Sequence, residues 1–211
     1  MEAQITSYGQ CSICNKATTM RCGSCNSSTY CSAECQKLDW PVHKILCRQF
    51  RDFGTPPAGL FRRGILFPVD QKKPKFVWVP YTVRSEPRED IDAAAFVPDL
   101  KGMTAFQRMD HTKVCSRRLK LIIGSNSDLD GSPVNMCIDE VTKGIRKSNW
   151  RGPVVILKRK GSGYEDVDMV DFRDAVDYFQ TAVFQTCIDP RLREALLKNW
   201  DGDLGSLFGT R

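Results

Sequence analysis

The sequence predicts an α+β fold, with strands in the middle of the chain and helices at its end, behind an N-terminal segment of different composition. Three observations predict it. Between residues 64 and 158, short runs rich in aromatic and β-branched residues alternate with turn residues. From residue 167 onward, apolar residues recur at three- and four-residue steps. Seven of the 10 cysteines crowd into residues 11–47, where large apolar side chains are few.

That segment reads CSICNKATTMRCGSCNSSTYCSAECQKLDWPVHKILC. Its cysteines and one histidine fall in four pairs: Cys11/Cys14, Cys22/Cys25, Cys31/Cys35 and His43/Cys47. Two residues separate the members of the first two pairs, the spacing of a zinc knuckle, in which a tight turn brings both thiolates to one ion. Three residues separate the members of the last two, which places each pair one turn apart on a helix face. Ser32 is an N-cap candidate for a first short helix over Ala33 to Leu38. Pro41 suits the first turn of a second, which would carry His43 and Cys47. Eight ligands make two tetrahedral sites. A segment this short cannot build a sufficient core, so metal must supply the folding free energy, on the order of 10–16 kcal/mol for a structural zinc. The competing possibility is a disulfide framework. Met1 to Gln10 (MEAQITSYGQ) lacks the apolar stretch of a secretory signal. An intracellular, reducing location in nucleus or cytoplasm is therefore expected, and there paired cysteines are metal ligands.

The segment resembles the MYND zinc finger, through Tyr30, Cys31, Ser32, Cys35, Gln36, Trp40, His43 and Cys47 after two C-x2-C pairs. The resemblance implies cross-braced sites. Cys11, Cys14, Cys31 and Cys35 would hold one zinc, and Cys22, Cys25, His43 and Cys47 the other. It also implies binding of short proline-containing peptides, as in transcriptional regulators and assembly adaptors. Gln36 and Trp40 are i,i+4 and share a helix face, with Trp40 as a flat surface for proline and Gln36 as a partner for peptide backbone. A peptide could also add as a strand along Thr18 to Arg21. Equally, Trp40 could serve as the finger's small core over the zinc thiolates.

Hydrophobic content of 41% and charged content of 27% are ordinary for a globular chain of 211 residues, and no apolar run reaches membrane-span length. The net charge of +6 is concentrated in the middle: residues 51–120 carry 14 basic and 8 acidic side chains. Arg62-Arg63, Lys72-Lys73-Lys75 and Arg117-Arg118-Lys120 lie there. Such clusters usually face solvent; nucleic-acid contact through phosphates is the alternative reading, and few stacking aromatics accompany them. Lys158-Arg159-Lys160 is a weak candidate for an import signal.

In chain order, residues 1–10 are expected to be flexible, 11–47 to form the finger, 48–59 (RQFRDFGTPPAG) to be a linker broken by Pro56-Pro57, and 60–211 to form the α+β domain. Gly64 to Val69 and Lys75 to Val83 read as a hairpin, with Pro80 marking an edge or a bulge. Arg84 to Asp92 reads as a charged loop. Residues 93–110 have no clear type. Arg118 to Ile123 is a strand, and Val134 to Ile138 reads as its partner. Pro153 to Lys158 is apolar without alternation, as a central strand is. Gly161 and Gly163 fall in a strand-to-helix connection. Val167 to Phe184 is helical, with Met169, Phe172, Ala175, Val176, Phe179, Ala182 and Val183 on one stripe and five aspartates largely off it. Pro190 opens a shorter helix through Leu197 with Gly202 beyond it, and Phe208 to Arg211 reads as a frayed end. Strands then helices place the helices on one face of a mostly antiparallel sheet. The layout after residue 60 is similar to that of fungal MYND proteins, a likeness that implies no activity.

No catalytic constellation stands out. His111 and Cys115 are i,i+4 but have no companion acid or nucleophile elbow, so they read as a surface histidine and a buried thiol. Cys137 and Cys187 read as small core residues. The loop Gly124 to Gly131 echoes a calcium loop through Asn126, Asp128, Asp130 and Gly131, but its twelfth position is Cys137 where a bidentate Glu is needed. The glycines at 161 and 163 lack the spacing of a phosphate loop. MYND fingers also occur within SET-domain lysine methyltransferases. Those need an Asn-His element and catalytic sequence on both sides of the finger; the chain has no Asn-His pair and only ten residues before Cys11. The expectation is a non-enzymatic, zinc-dependent interaction module or adaptor, of transcriptional or signalling type. The alternatives are a nucleic-acid-associated regulator and, more remotely, an enzyme with an unfamiliar site in residues 60–200.

Overall fold

A computed structural model describes residues 9–85, 88–97, 118–124, 131–146 and 148–181. The order is β1 (Gly9–Gln10), β2 (Ala17–Thr18), α1 (Ala33–Asp52), β3 (Phe61–Phe67), β4 (Lys75–Ser85), β5 (Arg88–Ile91), β6 (Arg118–Ile123), α2 (Met136–Thr142), β7 (Val154–Lys160), β8 (Gly163–Glu165) and α3 (Met169–Thr181). The α+β expectation holds. His111, Cys115, Cys187, Ala182, Val183, the Pro190–Leu197 helix with Gly202, the 208–211 end and positions 125–130 of the acidic loop lie outside the described residues.

The main sheet has the order β5-β4-β3-β7-β6, with β8 also on β7, and every pairing is antiparallel. The expected hairpin is there, with Leu66 opposite Lys75. β7 is central, between β3 and β6, and its apolar run serves both faces. Val154 and Ile156 point to the helical face with Ile65, Phe67, Leu121 and Ile123. Val155 and Leu157 point to the other with Leu66, Val79, Ile122 and Tyr164. Phe67 packs between Phe172 and Phe179 of α3, at centroid distances of 6.3 and 5.0 Å. Gly64 sits where β3 passes close to β7: a Cβ there would lie 3.1 Å from the Ile156 carbonyl oxygen.

Several expectations need correction. Within the expected charged loop, Arg84 and Ser85 end β4 and Arg88–Ile91 form β5. Their charge is that of an edge strand, satisfied by Arg84–Asp90 at 2.5 Å and by Arg62–Glu89. The bulge in β4 falls between Val83 and Ser85 rather than at Pro80, whose carbonyl accepts from Asp92 N. Residues 134–138 do not form a strand. Asn135 is buried and caps α2: its Oδ1 accepts from Ile138 N at 2.8 Å, while Nδ2 donates to the Phe67 and Gly152 carbonyls. The cap thereby ties the helix to the sheet, and Cys137, on α2, is a buried core thiol. The glycines at 161 and 163 form the β7–β8 hairpin, with Gly161 at φ +57°. Of the five aspartates on the last helix segment, Asp171 is fully buried. It and Asp168 cap the first turn of α3 reciprocally: Asp168 Oδ1 accepts from Asp171 N (3.0 Å), and Asp171 Oδ2 from Asp168 N (2.7 Å).

Two short helices were expected in the finger, but α1 is one helix of 20 residues that passes through Pro41. An interior proline costs about 3 kcal/mol. Against it stands one inward stripe, Asp39, His43, Leu46 and Cys47, which the continuous helix buries along its whole length. Ser32 is the N-cap, its side chain accepting from Cys35 N. Cys31 therefore precedes the helix, and only His43/Cys47 are a helical i,i+4 pair. Residues 9–10 are paired rather than flexible, in the two-stranded β1–β2. The expected linker is helical through Asp52. Gln49 Oε1 accepts from Phe76 N at 3.0 Å, and Phe50 and Phe53 pack on Phe76 at 5.5 and 5.6 Å. Burial of those aromatics on β4 holds the helix past the end of the finger.

Candidate metal centre

Each C-x2-C pair closes a tight turn. Asn15 N donates to the Cys11 carbonyl and Asn26 N to the Cys22 carbonyl, each at 2.9 Å, with both asparagines in the left-handed region. The turn aims backbone N–H groups at sulfur. Burial alone would raise the Cys11 thiol, but the backbone of Cys14, Ile13 and Cys31 brings it down to about 6. Such a sulfur is readily a thiolate ligand.

The eight residues gather into two groups, Cys11/Cys14/Cys31/Cys35 and Cys22/Cys25/His43/Cys47, with all ligand atoms of a group within 4.8 Å of one another. In the first group the Sγ–Sγ separations include 3.4 Å for Cys14–Cys31, 3.6 Å for Cys31–Cys35 and 4.0 Å for Cys14–Cys35. In the second, Cys22–Cys47 is 3.8 Å and Cys25 Sγ to His43 Nε2 is 3.6 Å. A tetrahedron with metal–sulfur bonds of about 2.3 Å has edges of about 3.8 Å, slightly less from sulfur to nitrogen. A disulfide needs about 2.05 Å, far shorter than any of these pairs, and the cysteines are free thiols. The two groups thus fit two zinc ions. Their interleaving, first and third pairs against second and fourth, is the cross-brace that the resemblance implied.

Around the second group the histidine is held from behind. His43 Nδ1 lies 3.2 Å from Ser28 Oγ and 3.7 Å from Asp39 Oδ2, leaving Nε2 for the metal side. Burial lowers the His43 pKa, partly opposed by Asp39, which favours the neutral imidazole that metal ligation requires. Asp39, only 1% exposed, is a hub. It accepts from Tyr30 OH at 2.6 Å and from Arg173 of α3 at 3.4 Å, and Arg173 also binds Asp177 at 2.5 Å. Burial and the Asp39 carboxylate push the Tyr30 pKa up. A further bond joins Met169 N to Ser27 Oγ. Sequence reasoning missed Asp39. Its i,i+4 relation to His43 was the available signal, but its partner lies 134 residues away.

Trp40 packs its ring 6.1 Å from that of His43 yet remains 48% exposed, and Gln36 is half-buried. The indole therefore lies beside the histidine ring while about half of its surface stays accessible. In the segment before the helix, Arg21 bridges Thr29 through the Met20 carbonyl and the Cys22 N–H, so Arg21's own N–H and C=O face the other way. Tyr30 links this segment to the helix: its N–H donates to the Met20 carbonyl, and its ring meets His43 edge-on at 6.0 Å.

Several basic residues after residue 60 are engaged within the domain, whereas Lys72, Lys73 and Arg159 face solvent. Arg62 binds Glu89 and Arg63 lies 4.6 Å over Phe50. Lys120, buried, donates to Tyr164 OH at 2.7 Å, and burial takes its pKa down to about 8. Lys158 meets Asp168 and Asp171, and Lys160 meets Glu165.

Residues 11–47 match the family model of the MYND finger, and this segment is a MYND finger, a protein-interaction module. The chain is similar to ubiquitin carboxyl-terminal hydrolase 19 of Arabidopsis thaliana, 44% identical over 55 residues, which are 26% of this chain and 8% of that protein. It is also similar to N-lysine methyltransferase SMYD2 of Rattus norvegicus, 42% identical over 45 residues, 21% of this chain and 10% of that protein. SET domain and MYND-type zinc finger protein 6 of Schizosaccharomyces pombe is 50% identical over 40 residues, 18% of this chain and 8% of that protein. The matches lie at the finger, and the chain spans a tenth or less of each of these relatives. No solved structure matches. No helix among the described residues is long and apolar enough to cross a membrane.

Proposed function

We propose that the protein is a non-catalytic adaptor of the nucleus or cytoplasm, in transcriptional or signalling control. Its finger captures an extended, proline-containing peptide of a partner protein. One observation carries this: a half-exposed Trp40 on a metal-clamped helix, one turn from Gln36 and joined through Tyr30 to a segment with outward-facing backbone at Arg21. A proline ring would lie on the accessible part of the indole, the Gln36 amide would bond peptide backbone, and Arg21 would offer a strand edge. The rest of the chain holds this finger rigid and carries whatever is to be brought to the partner.

The test is panning of random peptides on the zinc-loaded chain, followed by titration of the selected peptides. Proline should be enriched, and Trp40→Ala should weaken binding by about tenfold or more, as loss of an aromatic anchor does. Peptides that bind the Trp40→Ala variant as well as the parent would place the contact elsewhere.

A further inference from the structure

The peptide site has a charge pattern that names its partner more closely, an inference that rests on the peptide-binding reading. With about 100° per residue, Lys37, Trp40, Lys44, Arg48 and Arg51 of α1 fall within an arc of about 80° on the exposed side of the helix. Lys37 precedes Trp40 by three residues and Lys44 follows it by four, so each flanks the indole one turn away. Neither lysine has an acidic partner among the described residues, whereas Arg48 and Arg51 share Asp52 at 3.5 and 2.7 Å. The segment before the helix adds Lys16 and Arg21, both exposed, Arg21 also donating to the Asn26 carbonyl at 3.1 Å, and the stretch from Asn15 to Asn26 contains no acid. Against them, residues 9–47 hold two carboxylates. Asp39 is buried in the hub, which leaves Glu34 alone at the start of α1.

We infer that the ligand is an acidic peptide: an extended segment with its proline on Trp40 and Asp or Glu residues on both sides of it, meeting Lys37, Lys44, Lys16 and Arg21. The exposed cations act through screened, long-range attraction, which sets encounter rate and selectivity. A nucleic acid would be drawn to the same cations, but it asks for a row of stacking surfaces. Here there is one indole and a peptide-like backbone edge.

The experiment uses the full, zinc-loaded chain and the K37E/K44E double variant, with fold and zinc content verified. Random peptides are panned on both, and selected peptides are titrated at low and high salt. On the parent chain, Asp and Glu should outnumber Lys and Arg beside the selected proline. The double variant should bind those peptides about tenfold more weakly and select basic flanks instead. Raising salt should remove most of the difference. Selected peptides with no charge preference, bound equally by both proteins, would overturn the inference while leaving proline capture standing. No enrichment of any peptide would remove both. A single-stranded oligonucleotide that binds the parent more tightly than the best acidic peptide would also overturn it.

Discussion

The two metal groups of the finger hold similar ligands in opposite surroundings. The Cys11/Cys14/Cys31/Cys35 group ends at the surface: Cys14 is exposed, and Cys31 and Cys35 are half-buried. The Cys22/Cys25/His43/Cys47 group is buried throughout. Cys22, Cys25 and Cys47 belong to the same apolar cluster as Phe67, Phe172 and Phe179, while Cys35 only touches its margin. A metal at the outer group clamps β1–β2 and the start of α1. A metal at the inner group fixes the stretch of α1 on which α3 and β4 rest. Ligand count alone makes the two equivalent; burial makes one a local clip and the other part of the protein's core.

That difference can be broken by substitution. Cys47→Ser should have the largest effect, on the order of 5 kcal/mol or more, because it removes a buried ligand and with it the folding free energy of the inner metal. Denaturant unfolding should show loss of the sheet's cooperative transition as well as the finger's. Asp39→Ala should follow at about 3 kcal/mol, since it leaves Arg173, Tyr30 and the back of His43 without a shared carboxylate in a buried site. Both zincs should remain at saturating metal, which elemental analysis checks. Cys14→Ser should lose one zinc yet lower global stability by no more than about 2 kcal/mol, as a local opening does. Near-ultraviolet circular dichroism of the sheet domain should be retained. Smallest is Trp40→Ala, within about 1 kcal/mol for a half-exposed side chain, although the proposed peptide binding should weaken by about tenfold or more. Equal losses from Cys47→Ser and Cys14→Ser would erase the distinction between the groups.

The sequence carried the ligands better than it carried their consequences. Spacing singled out the eight cysteine and histidine positions because the knuckle turns and the His43/Cys47 helical step are local rules, although the step from Cys31 to Cys35 spans the N-cap rather than a helical turn. The strands at 64–69, 75–83, 118–123 and 153–158 were legible for the same reason, as was the stripe of α3. What failed was decided by distant partners. Residues 134–138 look like a strand by composition, but Asn135 becomes a helix cap because the Phe67 and Gly152 carbonyls need its amide. Pro41 looks like a helix start, but the inward stripe on both sides of it belongs to one buried face. The charges of residues 84–92 look like a loop until Arg62 and Arg84 supply partners. Asp39 is unremarkable in sequence, and its role appears only when Arg173 arrives from α3.

The most direct measurement follows zinc count and structure together while a chelator strips the metal, with native mass spectrometry for stoichiometry and circular dichroism for fold. The two-zinc protein should pass through a one-zinc species that keeps its sheet and the packing of α3, and should lose both only as the second ion leaves. Loss of both ions with the sheet still cooperative and intact would contradict the account, as would a purified protein that binds no zinc.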